Sequence, residues 1–226
     1  MIQKTLSVGP LQCNCQILVC AETFEAVIID PGDEAQKILK SIENLENQLG
    51  GQKISVKALL HTHAHFDHMG ATRDVATEFK KNGIAAPAIM LHSGDHMIYN
   101  MLEKQGEMFG FSFEKPLPVD QYLQDEEELK FGTLKLKVLH TPGHSPGGVC
   151  FHLKSDSAKQ IPEVVFTGDT LFKRSIGRPD LWGGDEKTLL QSIKQRLFTL
   201  DDDTCAWPGH GFSTIIGEEK RENPYF

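Results

Sequence analysis

Residues 61–68 read HTHAHFDH, which places His63, His65, Asp67 and His68 within six positions directly after the apolar run 54–60. Imidazoles crowded this closely repel one another once any is protonated, and each buried donor needs a partner, so the physical reason to cluster them is a shared cation. The stretch reads as a metal site with a catalytic task. Three later segments have a common form, a strand running into a tight turn with a ligand-type side chain at its tip: 139–144 (LHTPGH, ending at His144), 164–169 (VVFTGD, ending at Asp169) and 206–210 (AWPGH, ending at His210). Glycine and proline fix abrupt turns at such strand ends, where side chains can converge above a sheet edge. Five of the ten histidines and two aspartates then supply seven donors, more than one tetrahedral ion uses, which implies two ions. His63 and His65, two apart, can face one side and share an ion. Asp67 and His68 lie beyond the turn and suit a second, with Asp169 able to bridge. A lone histidine at a strand end is usually a hydrogen-bonded structural residue, so the joint pattern carries the metal reading. His61 and His140 read as structural or hydrogen-bonding neighbours, and His92, His96 and His152 receive no role.

The elements that must position these residues follow from periodicity. Strands are expected over 2–8, 13–20 and 24–30, then a helix over 33–49 with Ala35, Ile38, Leu39, Ile42, Leu45 and Leu49 on one face, stopped by Gly50-Gly51. The strand 54–60 leads into the first donor cluster. A helix from about Met69 to Asn82 and a strand over 88–91 come next. In the second half, 129–131 and 134–139 form a hairpin about Gly132, with Lys135 and Lys137 alternating against Leu134, Leu136 and Val138. Strands over 149–153, 164–167 and 204–207 and a helix over 185–199 complete the pattern, which suggests two sheets face to face with helices outside. The least regular stretch is 92–128. Its Met97, Ile98, Met101, Leu102, Met108, Phe109, Phe111 and Phe113 read as core first, and as an adaptable pocket or lid second.

A chain of 226 residues suits one compact domain. Net charge is −8 and no Lys/Arg-rich block appears, which argues against nucleic acid and anionic membranes and for a small-molecule partner. The N-terminus has no apolar core of signal-peptide length and no run approaches a membrane span, so a cytoplasmic protein is expected, as a monomer or small homo-oligomer. Five cysteines without a CxxC pair read as free thiols. Cys13 and Cys15 sit in an apolar strand-like run and read as packing, although thiols can bind metal.

From Asn14 onward the four donor segments, in this order, resemble the metallo-β-lactamase superfamily. The chain is most similar to its short hydroxyacylglutathione hydrolases of the glyoxalase II type, through 166–172 (FTGDTLF), 175–180 (SIGRPD), 208–211 (PGHG) and 217–224 (GEEKRENP). The resemblance implies an α/β fold, an αββα four-layer sandwich of two mixed β-sheets flanked by helices. It also implies a single domain over 1–226, without the C-terminal helical domain whose basic residues grip glutathione in longer glyoxalase II enzymes. By the same resemblance His63, His65 and His144 would hold one divalent ion, Asp67, His68 and His210 a second, and Asp169 would bridge. Zinc is favoured, and iron or manganese suits the same nitrogen and oxygen donors.

The chemistry implied is attack on a carbonyl by a metal-bridging hydroxide, since one zinc already lowers the pKa of water to about 7, with Asp67 orienting it and accepting its proton. A thiolate leaves without a strong general acid because its pKa is about 8.5, so thioesters such as S-lactoylglutathione fit better than amides. Asp rather than Cys at the bridging position argues against antibiotic hydrolysis. If the substrate is acidic, Arg178, Lys173, Arg174, Lys220 and Arg221 are the nearest cations in sequence, and Arg178 can instead pair with Asp180 or Asp185 to hold its loop. One alternative is a persulfide dioxygenase using a single iron on His63, His144 and Asp169. A non-catalytic metal-binding module is another, and a nuclease is weaker still.

Overall fold

The computed structural model describes residues 1–154, 156 and 163–226. In chain order the elements are β1 (Ile2–Val8), β2 (Cys13–Val19), β3 (Glu25–Ile29), α1 (Ala35–Gln48), β4 (Ser55–Leu60), α2 (Phe66–Met69), α3 (Thr72–Lys81), β5 (Ala88–His92), α4 (His96–Tyr99), α5 (Leu102–Met108), β6 (Gln121–Leu123), β7 (Glu128–Phe131), β8 (Leu134–His140), β9 (Val149–Leu153), β10 (Val164–Gly168), β11 (Leu171–Phe172), β12 (Ser175–Ile176), α6 (Glu186–Ser192), β13 (Cys205–Pro208), β14 (Thr214–Ile215) and α7 (Ile216–Glu222). One mixed sheet runs β1-β2-β3-β4-β5-β6 and the other β14-β13-β10-β9-β8-β7. The expected four-layer α/β sandwich is the observed fold.

Alternation along the strands builds the layers. In β3, Val27 and Ile29 face the core between the sheets, while Ala26 and Ile28 face the core under the helices. That is the two-residue period of a strand buried on both sides. The inter-sheet core takes Leu60 from β4, Leu136 and Val138 from β8, Phe151 from β9 and Phe166 from β10. Outside the first sheet, α1 buries Ile38, Ile42 and Leu45, one turn apart on one face, and the chain leaves it through Gly50 and Gly51 at φ of 70° and 87°. Outside the second sheet, Leu189 on α6, with Ile193 and Leu197 just beyond it, covers Cys150 and Val165.

The strand directions decide where side chains can meet. β8 and β10 are both antiparallel to β9, and β10 is parallel to β13, so β8, β10 and β13 end at the same edge of their sheet. His144, Asp169 and His210 follow those three ends. The first sheet is stitched to that edge by Val149 N–H on the Thr62 carbonyl (2.8 Å) and Asn14 N–H on the Gly209 carbonyl (2.7 Å). This brings the end of β4, and with it the histidine cluster, over the other three turns.

Three expectations need correction. The helix foreseen from Met69 to Asn82 is α3, which starts at Thr72, and a separate short helix the sequence did not suggest, α2, precedes it and carries Asp67 and His68, with the chain breaking at Gly70-Ala71 between them. At the break the Ala71 N–H bonds the Pro31 carbonyl (3.0 Å) instead of the Asp67 carbonyl one turn back, and Gly70 allows close packing, since a Cβ there would lie 2.5 Å from the Phe113 ring and 2.6 Å from the Gly32 carbonyl. The helix foreseen over 185–199 is α6, capped by the Asp185 side chain on Thr188 N–H (2.7 Å), and it loosens into a π-helical turn at Ile193–Leu197. The stripe over 97–113 divides: Ile98 and Leu102 are core and Phe111 and Phe113 pack against it, but Met97 and Met108 are 71% and 69% exposed.

Phe151 is fully buried between the sheets. Phe151→Ala is expected to lower unfolding stability by about 3–5 kcal/mol, read from the urea midpoint by circular dichroism. A loss below about 1 kcal/mol would mean that the two sheets do not pack through this ring.

Candidate metal centre

All seven expected donors converge. His63, His65 and His144 form one group whose ligand atoms lie within 4.8 Å of one another, and Asp67, His68 and His210 form a second. A third group, His63, His68 and Asp169, joins the halves. Asp169 divides its oxygens between them: Oδ1 is 3.3 Å from His68 Nε2 and 3.7 Å from His210 Nε2, while Oδ2 is 3.7 Å from His144 Nε2. Its approach is shaped by glycines, since a Cβ on Gly209 would lie 2.3 Å from Asp169 Oδ1 and one on Gly177 would strike the Asp169 carbonyl.

The tautomers are fixed from outside. His144 Nδ1–H donates to the Arg178 carbonyl (2.8 Å), and His210 Nδ1–H to the Leu11 carbonyl (2.9 Å). His68 Nδ1–H donates to Asp30 Oδ2 (3.0 Å). Thr62 gives its hydroxyl proton to the same carboxylate (2.6 Å), so its oxygen accepts from His63 Nδ1–H (3.0 Å). Four imidazoles therefore turn their Nε2 lone pairs inward. The consequence is a conflict: His63 and His144 hold Nε2 atoms 3.2 Å apart, and so do His68 and His210. His65 Nε2 and Asp169 Oδ1 are buried with no hydrogen-bond partner. Lone pairs aimed at one another and orphaned buried acceptors are what a bound cation relieves, so the residues present fit divalent metal.

Electrostatics agree. Burial first, then the neighbouring imidazoles, keep His63 neutral far below the ordinary histidine range, and push His65 down to about 3. Burial alone would raise the Asp67 and Asp169 carboxyls, but the surrounding histidines, His68 foremost, hold both below the usual range. Before an ion binds, the centre thus offers neutral His63 and His65 rings and ionised carboxylates, the forms that ligate metal, while at His68 and His210 burial is outweighed by the acidic groups beside them, so these rings release protons as an ion binds. Burial, with the Cys15 thiol beside it also pushed up, takes Cys13 to about 12, so these thiols stay protonated and act as packing. All five cysteines are free.

Sequence reasoning missed three supporting side chains. Asp30 is buried and orients one histidine of each half. Asp95 is buried and accepts hydrogen bonds from Ala64, Ser145 and Gly147. Gln105 accepts from Phe66 N–H (3.1 Å) and donates to the Ala64 carbonyl (3.0 Å). Nothing local marks them: Asp95 and Gln105 sit in the irregular stretch, dozens of residues from the loops they hold. His61 is buried with Nε2 3.3 Å from the Thr72 hydroxyl, and His140 stacks on His92 at 4.1 Å, as expected for structural residues.

The cations foreseen for substrate are largely engaged. Arg178 is exposed and makes two 3.0 Å bonds to Asp180, Arg174 pairs with Glu219, Glu222 and Glu218, and Lys220 pairs with Asp202 at 2.6 Å. A narrow cleft lined by Leu11, Phe66, Phe111 and Phe113 opens beside Asp67. No helix among the described residues is long and apolar enough to cross a membrane.

Comparison with known proteins agrees with the geometry. The chain belongs to the metallo-beta-lactamase superfamily, whose family model matches residues 8–210. It is 36% identical over 223 residues to a Haemophilus influenzae protein named hydroxyacylglutathione hydrolase GloC, covering 98% of this chain and 96% of that one. Among solved structures it is similar to TTHA1623 in a di-iron-bound form, with 38% identity, TM-score 0.80 and coverage of 99% and 100%. It is also similar to BLEG-1 B3 metallo-beta-lactamase, with 34% identity, TM-score 0.82 and 99% of each chain.

The buried histidines set a pH dependence for the chelated chain. His61 (about 4) and His65 (about 3), with His63 also well below, have folded values under the unfolded 6.5, so from pH 6.5 down to about 5 the unfolded state binds protons that these folded rings refuse. His68 and His210, raised in the fold by the acidic groups around them despite burial, act with the opposite sign near pH 6.5, where the unfolded rings are half protonated, and drop out toward pH 5, so the three lowered rings outweigh them. Stability should therefore fall with pH across this window, each lowered histidine contributing up to about 1.4 kcal/mol per pH unit. A melting temperature in EDTA that stays flat between pH 6.5 and 5 would contradict the neutral, buried state of these rings.

Proposed function

We propose that this chain is a dinuclear metal-dependent hydrolase of thioesters, with S-acylglutathione compounds such as S-lactoylglutathione as its substrate class. The observation that carries the reading is a pair of three-donor groups set around one carboxylate, Asp169, whose two oxygens turn to opposite halves. The GloC relative supports the substrate class and the di-iron-bound TTHA1623 structure supports two ions. In this reading His63, His65 and His144 hold one ion and Asp67, His68 and His210 the other. Two divalent ions, zinc first and iron or manganese as substitutes, would supply Lewis acidity that lowers the pKa of water and polarises a carbonyl.

The chain's own groups do the rest. Asp67 is partly open to solvent, is ionised, and is oriented with Oδ2 3.2 Å from His210 Nε2, so its carboxylate can accept the proton of the attacking water. In this reading four of the five imidazoles would give Nε2 to the ions and have Nδ1–H committed to outward acceptors, leaving no ring in the pocket as an evident acid for a leaving group. A thiolate departs without one, whereas an amide nitrogen needs a proton, and this favours thioesters. Asp169 in place of a cysteine argues in the same direction, but the likeness to BLEG-1 puts a β-lactam in the assay panel. A persulfide dioxygenase would draw on His63, His144 and Asp169, which also lie together, and metal count with product analysis separates the two.

Purified enzyme is expected to carry two metal ions per chain and to cleave S-lactoylglutathione, with no oxygen uptake on glutathione persulfide. One iron per chain with oxygen consumption would replace the hydrolase by the dioxygenase. His65→Ala and Asp67→Ala should each lower kcat/KM by about 10²–10⁴-fold while circular dichroism is unchanged. Wild-type turnover in either variant would exclude the two-ion mechanism. Because Arg178 is exposed and paired with Asp180, Arg178→Ala should leave KM within about twofold and stability within about 0.5 kcal/mol. A large rise in KM for an anionic thioester would place this guanidinium on the substrate.

A further inference from the structure

The stretch between the first two donor loops supplies no donor of its own, yet it sends a fully buried carboxylate, that of Asp95, between the loops that carry His63, His65 and His144. We infer that Asp95 is a positioning residue that locks the two loops carrying His63, His65 and His144 in register, and that the affinity of this half for its ion depends on it. The inference rests on the two-ion reading above.

Asp95 Oδ2 accepts from the backbone N–H of Ala64 (3.0 Å) and from the Ser145 hydroxyl (2.8 Å), and Oδ1 accepts from Gly147 N–H (2.5 Å). Ala64 is the residue between His63 and His65, and Ser145 is the residue after His144. One side chain therefore ties the immediate neighbours of all three donors of one half. Hydrogen bonds to an ionised acceptor are short and strong, which suits a brace. The two turns are built close enough for it to reach: a Cβ on Gly147 would lie 2.4 Å from Asp95 N, and one on Gly94 would lie 2.9 Å from Gly147 Cα. Gln105 completes the clamp on the first loop, holding the Ala64 carbonyl while Asp95 holds the Ala64 N–H.

The other half is held by different groups. His68 is oriented by Asp30, His210 by the Leu11 carbonyl, and the turn before His210 by Asn14 N–H on Gly209. Among the described residues Asp95 makes no hydrogen bond to the α2 turn or to the turn carrying His210. Asp30 serves both halves, His68 directly and His63 through Thr62, whereas Asp95 braces the first half alone. Removing Asp95 frees the His63-to-His65 loop from the His144 loop, so ion binding at that half must then supply the ordering that the carboxylate provides in advance.

The test is cobalt(II) titration of the metal-stripped full chain, followed by visible absorption. The phase that belongs to His63, His65 and His144 is identified as the one His65→Ala abolishes. Asp95→Ala should weaken that phase about 10–100-fold and leave the other within about twofold. Asp95→Asn, which keeps one acceptor oxygen but turns an amide toward a backbone N–H, should fall between. Should Asp95→Ala fail to fold, Ser145→Ala removes one of the three bonds and is expected to weaken the same phase by a smaller factor. Equal weakening of both phases, or no change in the His65-dependent phase, would overturn the inference. A wild-type chain with a single cobalt phase that needs His65 would overturn the two-ion reading instead, and Asp95 would still be judged on that phase.

Discussion

Inward-facing imidazole lone pairs are the constraint on which the site depends. Four histidines have their Nδ1–H groups bound to acceptors outside the pocket, so two pairs of Nε2 atoms meet at 3.2 Å, and without a cation a pair is relieved only by putting a second, charging proton on a ring. A fifth, His65, is buried with Nε2 unmatched. Such an arrangement is costly in a chain without cations and favourable in one with them. Metal binding and folding are therefore coupled: an ion that binds only the folded chain stabilises it by RT ln(1 + [L]/Kd), about 4 kcal/mol at a thousand times Kd.

The fold exists around that constraint. Three strands of one sheet end at a common edge, and bonds from Val149 to Thr62 and from Asn14 to Gly209 bring the other sheet's first donor loop over them. Fully buried residues on both sides of each sheet hold the strand ends still, and glycines at the turns let backbone and carboxylate approach closely. Asp30, Thr62, Asp95 and Gln105 then fix what the strands leave loose. The geometry demands rigid loops because a donor displaced by an ångström no longer shares an ion with its partners.

Much of this was legible in the sequence. The donors announce themselves because metal ligands crowd at short spacing and sit beside turn residues, and the sheets announce themselves through apolar runs such as 24–30 and the alternation of Leu134, Leu136 and Val138 against Lys135 and Lys137. What was illegible depends on distance or brevity. Asp95 and Gln105 act on loops 31 and 41 residues away along the chain, and Asp30 reaches His68 across 38, so no local pattern marks them. The two-residue strands β11, β12 and β14 are too short for periodicity to register. The break between α2 and α3 falls where the Ala71 N–H bonds the Pro31 carbonyl, a contact that exists only after folding. Near the donor loops Arg178 takes the pairing with Asp180 that the sequence offered as its loop-holding role, and Arg174 and Lys220 pair with carboxylates of their own.

Two cations sharing one carboxylate is the central claim, and anomalous diffraction from crystals of the metal-loaded chain, collected on either side of the metal's absorption edge, tests it most directly. The account predicts two peaks, one in contact with His63, His65 and His144 and one with Asp67, His68 and His210, each also touched by Asp169. A peak at Cys13 and Cys15, or a single peak with His210 turned away, would contradict it.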